Sequence, residues 1–252
     1  ILHLAGISHV PTSFEDPELT WQVNVMGTLS LLQAVKLHAP DAFFCFISSS
    51  EVYGKAFKKA VPLNEDTLPC PTNPYAASKA AAELAVGLYA SLGLKSVILR
   101  PFNHIGAGQS EGFVAPAFAK QIADIENDIS LPRKVYVGNL EASRDFLHVT
   151  DVCRAYIAVL QQSDQFTPGE ILNISSGKCF KIQQILDDLC AMSKEIITIV
   201  EDPALMRPSD IPIAQGDNSK LFDRISWAPM LTLTEALSDV MDYWRNNKKD
   251  PG

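Results

Sequence analysis

Apolar positions along this chain alternate between two arrangements. Phe43–Ile47 and Ser96–Leu99 are short continuous apolar runs, the pattern of strands buried on both faces of a parallel sheet. Between the first and last residues of Leu19–His38, Trp21, Val25, Leu29 and Leu32 recur at helical spacing, and Ala39-Pro40 supplies the stop. Val23, Met26 and Leu31 give this helix a second apolar face, so it is expected to be covered on both sides. Ile1–Ala5 reads as a short strand entering a polar loop with Ser8, His9 and Pro11. A long loop holding Pro62, Pro69, Pro71 and Pro74 leads to an alanine-rich helix predicted from Tyr75 to about Leu92, with Gly93 to end it. Strands alternating with helices of this length predict βαβ units and an α/β fold with a doubly wound parallel sheet.

After about Gly106 the pattern changes. An amphipathic helix is expected over Phe113–Glu126 and a short strand over Val135–Gly138. Thr150 or Asp151 can cap a helix running to Gln162. A strand at Ile171–Ile174, a helix at Ile182–Met192 and a strand at Ile196–Val200 follow. Thr232-Leu-Thr-Glu235 matches a capping box before a last helix ending near Trp244-Arg245. The expected organisation is a sheet domain over residues 1–105 and a smaller α/β lobe over 106–252, with elements around 135–175 returning to the main sheet. No repeat or low-complexity segment interrupts it.

Composition narrows the function classes. The 252 residues are 47% hydrophobic and 20% charged, values of an ordinary globular chain. A net charge of -8 argues against nonspecific partnership with nucleic acid or an anionic membrane. No apolar stretch is long enough to span a bilayer. Five cysteines, without a C-x-x-C pair, read as buried free thiols in a reducing, cytoplasmic compartment. His3 and His9 have no cysteine or carboxylate at zinc-like spacing, so no metal is expected.

Both central strands end in polar chemistry: Ser48-Ser49-Ser50 after the first, Arg100-Pro-Phe-Asn103-His104 after the second. In open α/β sheets, ligands bind beyond these carboxyl ends. Tyr75 and Lys79 stand one helical turn apart on one face. An ammonium there favours the phenolate and brings the tyrosine pKa down toward a working range. Alone, this pair is better explained by a helix start with a packed tyrosine and an exposed lysine.

Several motifs in one order change that weighting. His3-Leu-Ala-Gly6, Asn24-Val-Met-Gly-Thr28, Ser48-Ser-Ser-Glu-Val-Tyr-Gly54, Pro74-Tyr-Ala-Ala-Ser-Lys79 and Leu99-Arg-Pro-Phe-Asn103 resemble the extended short-chain dehydrogenase/reductase family, which has a Rossmann-like sheet. Gly138-Asn-Leu-Glu-Ala-Ser-Arg144-Asp-Phe and Arg207-Pro-Ser-Asp210 resemble its nucleotide-sugar branch. Arg100-Pro-Phe-Asn-His-Ile-Gly-Ala-Gly-Gln109 and Gly112-Phe-Val-Ala-Pro are most similar to GDP-6-deoxy-D-mannose reductases, which reduce a GDP-4-keto-6-deoxy-hexose to GDP-D-rhamnose.

The resemblance implies residue roles. Tyr75 would be the general acid, Lys79 would tune it and hold the nicotinamide ribose, and Ser49 would stabilise the carbonyl oxygen. Leu4, Ala5 and Phe102 would line the site of NAD or NADP. Ser50, Glu51, Asn103, Arg144, Arg207 and Asp210 would contact a GDP-linked nucleotide sugar. On the other side, Asn24 reads as a structural buried amide and His148 as a packed or capping histidine. Arg144 has an alternative as an ion pair with Asp145 or Asp151. The Leu19–His38 and Tyr75–Leu92 helices resemble the family's four-helix dimer interface, which implies a homodimer.

The family begins with a strand, a Gly-x-x-Gly-x-x-Gly turn and a helix that bind the cofactor pyrophosphate. No such turn precedes Ile1, and Gly106-Ala-Gly108-Gln-Ser-Glu-Gly112 has the wrong spacing. The chain is therefore expected to lack the family's first βαβα portion, including the residue that selects NAD or NADP. Alternatives to the reductase are a GDP-mannose 4,6-dehydratase with Glu51 as its carboxylate, a nucleotide-sugar 4-epimerase, and a noncatalytic nucleotide-binding homologue.

Overall fold

Two apolar strands with opposite faces buried under different helices form the centre of the molecule. The computed structural model describes residues 1–206 and 211–247. In chain order it begins with β1 (Leu2–His3), α1 (Val10–Glu15), α2 (Pro17–Trp21), a π-helical turn at Gln22–Met26, and α3 (Gly27–His38). Next come β2 (Phe44–Ile47), a kinked 3-10 segment at Ser50–Lys59, α4 (Pro74–Ser91), β3 (Ser96–Pro101) and β4 (Asn103–Ile105). Then follow α5 (Val114–Asn127), β5 (Lys134–Val137), β6 (Ser143–His148), α6 (Val149–Gln161) and β7 (Glu170–Ile174). The chain continues with β8 (Cys179–Lys181), α7 (Ile182–Ala191), β9 (Thr198–Glu201), β10 (Ile213–Ala214), α8 (Ser219–Ile225) and α9 (Leu233–Asn246).

The main sheet runs β1-β2-β3-β7, all parallel. Successive side chains on a strand point to opposite faces. Phe44 and Phe46 of β2 accordingly pack with Leu32 and Val35 of α3 and Ala82 and Val86 of α4. Cys45 and Ile47 pack on the other face with Val152, Ala155 and Val159 of α6. Helices thus cover both faces, which is the doubly wound architecture. A second sheet carries β10, β6 and β4 in parallel, with β8 antiparallel to β6, and β5 pairs with β9. Helices α5, α7 and α9 enclose a separate core with Val135, Val137 and Phe146. Within 135–175, β7 joins the main sheet and α6 packs on it, whereas β5 and β6 lie in the other sheets.

Local differences from the sequence expectation have local causes. The helix expected over Leu19–His38 starts at Pro17, a residue suited to a first helical turn, and contains the π-helical turn. That turn carries the Asn24 side chain, whose amide accepts from Ile7 N at 2.8 Å and donates to Ile7 O at 3.0 Å and Ser78 Oγ at 2.9 Å. Asn24 is therefore a buried structural amide. Neither Thr150 nor Asp151 caps α6. His148 does so, its Nδ1 accepting from Thr150 N at 3.0 Å while Nε2 meets Asp239 at 3.1 Å. Asp151 instead takes the backbone N–H groups of Met230 and Leu231 and pairs with Arg154. The capping box at α9 is present as expected. Of the five free cysteines only Cys45 is buried, while Cys70 and Cys153 are exposed, which corrects the expectation of buried thiols.

Candidate active site

The carboxyl ends of β1, β2, β3 and β7 lie side by side, so the polar residues that follow them converge. Ser49 continues β2 in extended conformation and starts the 3-10 segment, its Oγ accepting from Glu51 N at 3.2 Å. Tyr75 stands in the first turn of α4. Asn73 caps that helix by accepting from Ala76 N at 2.7 Å, and Pro74 presets its first turn. The Asn73 amide also donates to Glu51 Oε2 at 3.1 Å, tying the stretch after β2 to the start of the helix.

Tyr75 is buried, with the Ser49 hydroxyl beside its phenol. Burial pushes its pKa up to about 12; the Ser49 hydroxyl opposes this and the nearby Glu51 charge adds to it. The expected downward tuning by Lys79 is absent. Lys79 folds beneath the end of β2 instead, with Nζ donating to Ile47 O at 2.8 Å and lying 5.0 Å from the Phe46 ring centroid. Burial brings the lysine pKa down to about 8, against the pull of Glu83. Of the pair, the lysine is the group moved toward neutrality.

Lys79 also borders the end of β1. A Cβ on Gly6 would lie 3.5 Å from its Nζ and 2.9 Å from Asn24 Oδ1. Leu4 and Ala5 at this end are exposed, Leu4 by 58%. Bare backbone beside a buried ammonium can receive a polar ligand closely, and the exposed Leu4 offers it an apolar edge.

On the opposite side, Ser50, Glu51, Asn103 and Arg144 line one cleft together with Gly54 and Ile211. Arg144 on β6 donates from Nη1 to Ser143 O at 2.8 Å and Ile211 O at 3.1 Å. Burial lowers its pKa while Glu51 pulls in the other direction, so a carboxylate and a guanidinium face the same space. It does not pair with Asp145, whose carboxylate holds the backbone N–H groups of Ser176, Gly177 and Gly216. Phe102 lines this cleft too, packed with Tyr53 and Phe57 in a small aromatic cluster. Arg207 and Asp210 lie outside the described residues. Among the described residues, no group of three His, Cys, Asp or Glu side chains is arranged to hold a metal ion.

Sequence reasoning did not assemble the layer beneath the site. Glu83 of α4 receives Arg100 Nε at 2.9 Å and Nη2 at 2.6 Å, and Ser48 Oγ at 2.5 Å, all buried. The Arg100 guanidinium lies 4.7 Å from the Tyr53 ring centroid, and Tyr53 Oη donates to Asn173 Oδ1 at 2.7 Å. The available signal was Arg100 itself, a charge inside an apolar strand that requires a buried partner.

A doubly wound sheet with serine, tyrosine and lysine at its strand ends, beside a cleft of mixed charge, has the layout of a dinucleotide-dependent enzyme acting on a polar substrate. The model of the GDP-mannose 4,6-dehydratase family matches residues 1–240. The chain belongs to that family, within the extended short-chain dehydrogenases/reductases, whose members are NAD(P)-dependent nucleotide-sugar enzymes. It is 38% identical over 251 residues to the GDP-6-deoxy-D-mannose reductase of Pseudomonas aeruginosa, covering 99% of this chain and 81% of the relative. The structure of RMD from Pseudomonas aeruginosa, complexed with NADPH, is similar with TM-score 0.90 and 37% identity, over 97% of this chain and 80% of that one. A UDP-glucuronic acid 4-epimerase from Bacillus cereus, in complex with UDP-glucuronic acid and NAD, gives TM-score 0.85 at 28% identity, over 96% and 74% of the two chains.

Proposed function

We propose that this protein is an NAD(P)-dependent reductase of a GDP-4-keto-6-deoxy-hexose, forming GDP-D-rhamnose. The observation that carries the reading is the convergence of Ser49, buried Tyr75 and the Lys79 Nζ bonded to Ile47 O at the strand ends, next to the cleft lined by Ser50, Glu51, Asn103 and Arg144. The likeness to the Pseudomonas aeruginosa reductase supports this choice of substrate. NADH or NADPH supplies the hydride when bound, and the Leu4–Gly6 strand end with Lys79 would hold its nicotinamide half.

A phenol held at about 12 is fully protonated at neutral pH, the state a general acid needs. Tyr75 Oη gives its proton to the sugar carbonyl oxygen, and the Ser49 hydroxyl donates to the same oxygen as negative charge develops. The Lys79 ammonium adds positive potential on the opposite side. Glu51 and Ser50 would face the sugar, while Asn103, Arg144, Arg207 and Asp210 would hold the nucleotide, with guanidinium forks for phosphate or ribose. Five free thiols suit a cytoplasmic setting.

The protein would act as a homodimer. Met26 of the π-helical turn is 54% exposed, and Leu84 and Leu88 on one face of α4 are 78% and 58% exposed. Exposed apolar side chains on this helix pair suit a second copy of the same pair.

One observation favours a second reading. Glu51 lies close enough to act on the Tyr75 phenol, a carboxylate position that also suits water elimination by a GDP-mannose 4,6-dehydratase. Incubation with GDP-mannose separates the two readings: the reductase gives no 4-keto product, and release of that product would overturn the assignment.

A further inference from the structure

We propose that Glu83 is a positioning residue for this reaction: one buried carboxylate fixes the Ser48–Ser49 strand end, the Arg100 strand end and the Lys79 turn of α4, and sets a negative charge one helical turn from Lys79. The proposal rests on the reading of Ser49, Tyr75 and Lys79 as the reacting groups. Three connections meet at Glu83. Ser48 Oγ donates to Oε1 at 2.5 Å, and Ser48 is bonded directly to Ser49. Arg100 donates twice, and its strand leads two residues later to Phe102 and then Asn103. Lys79 is one helical turn before Glu83 and Tyr75 one turn before that, so the three side chains share a face of α4.

The carboxylate is buried and accepts three hydrogen bonds, so its geometry is fixed by partners at the ends of two strands. A surface ion pair would not register the helix against both strands in this way. The groups facing Lys79 are Tyr75 and Glu83 from its own helix, His3 from β1, and the Phe46 ring and Ile47 carbonyl from β2. Arg100 of β3 lies beyond Glu83. Burial and Lys79 both lower the His3 pKa, so that ring stays neutral at neutral pH. Glu83 is thus the charge opposing desolvation of Lys79.

The test follows Lys79 directly. In protein carrying ¹³Cε-lysine, the Lys79 resonance, assigned with Lys79→Arg, is titrated in wild type, Glu83→Gln and Glu83→Asp. Glutamine keeps the shape and loses the charge, so the Lys79 midpoint should fall by about one unit or more. The alkaline limb of kcat/KM should move with it, and kcat should fall about 10-fold while KM for the sugar changes little. Glu83→Asp should restore the midpoint toward wild type. A folded Glu83→Gln protein with an unchanged Lys79 midpoint overturns the proposal. If Glu83→Gln does not fold, Ser48→Ala, which keeps the ion pair, should still lower kcat several-fold at constant KM. Unchanged kcat in that variant overturns it. Tyr75→Phe serves as the control: retained turnover there would refute the assignment of the reacting groups, whatever the Lys79 resonance does.

Discussion

Gly54→Ala is expected to damage both stability and the substrate cleft, and the cost can be worked from the geometry. Gly54 sits at the kink of the 3-10 segment with φ 46° and ψ -116°, backbone angles that favour glycine. A Cβ there would lie 2.0 Å from the Cys70 carbonyl oxygen and 2.8 Å from its carbon, both backbone atoms. Cys70 cannot yield freely, because its N–H donates to Val52 O and its carbonyl accepts from Lys55 N, each at 2.9 Å. The strained backbone costs about 1–3 kcal/mol, and losing the two bonds about 0.5–1.5 kcal/mol each. A net loss of about 2–6 kcal/mol is therefore expected from the urea unfolding transition. Gly54 also lines the cleft beside Ser50 and Glu51, so KM for the nucleotide sugar should rise. Gly87→Ala is the matched control: it lies inside α4 with nothing within 4 Å of its Cβ position, and should stabilise by about 0.5–1 kcal/mol. A Gly54→Ala protein within about 0.5 kcal/mol of wild type and with unchanged KM would refute the reasoning.

Tyr75→Phe should lower turnover by about 10²-fold or more, read from initial rates at saturating substrate; an active variant removes Tyr75 from the mechanism. Lys79→Met should cost activity yet raise stability. The folded lysine pKa of about 8 is depressed from 10.5, so at neutral pH the folded chain carries a charge-burial cost of about 3 kcal/mol. Removing it leaves the Ile47 carbonyl short of a donor, costing about 1–3 kcal/mol, for a net gain of about 1 kcal/mol at pH 7. Because the unfolded chain binds the extra proton between pH 8 and 10.5, wild-type stability should rise across that window through this residue, and the advantage of the methionine variant should fade. A methionine variant less stable than wild type at pH 7 would contradict this. Leu84→Glu with Leu88→Glu should halve the mass seen by light scattering at micromolar concentration, and an unchanged mass would exclude α4 from the dimer interface.

How much of this was legible in the sequence depended on whether burial left a periodic trace. Strands β2 and β3 are covered on both faces, and their unbroken apolar runs revealed them. Helix α4 and the capping box of α9 likewise followed from spacing and terminal residues. Strands β4, β6, β8 and β10 escaped, since they are short and sequences such as Ser143-Arg-Asp-Phe-Leu-His148 mix polar and apolar positions without alternation. The π-helical turn continues an ordinary helical pattern, so nothing in the spacing marks the wider Gly27 N–H to Gln22 O bond.

At the site, polar residues beyond the strand ends marked where chemistry would gather, but Ser49 in particular, Asn103 and Arg144 were singled out only by their motifs; Ser50, Glu51, Asn103 and Arg144 line one cleft. The direction of the Tyr75 shift was not legible. Helical spacing places Lys79 one turn from the phenol, but it says nothing about Nζ turning to Ile47 O or about the burial of both groups. The Glu83 network was equally hidden, because its three partners belong to different elements and meet only through packing.

The most direct test of the account is a turnover measurement on the protein with GDP-4-dehydro-6-deoxy-D-mannose and either NADPH or NADH. The expected result is consumption of the reduced nicotinamide in step with formation of GDP-D-rhamnose. Folded protein that oxidises neither coenzyme with this substrate, while converting GDP-mannose to its 4-keto product, would contradict it.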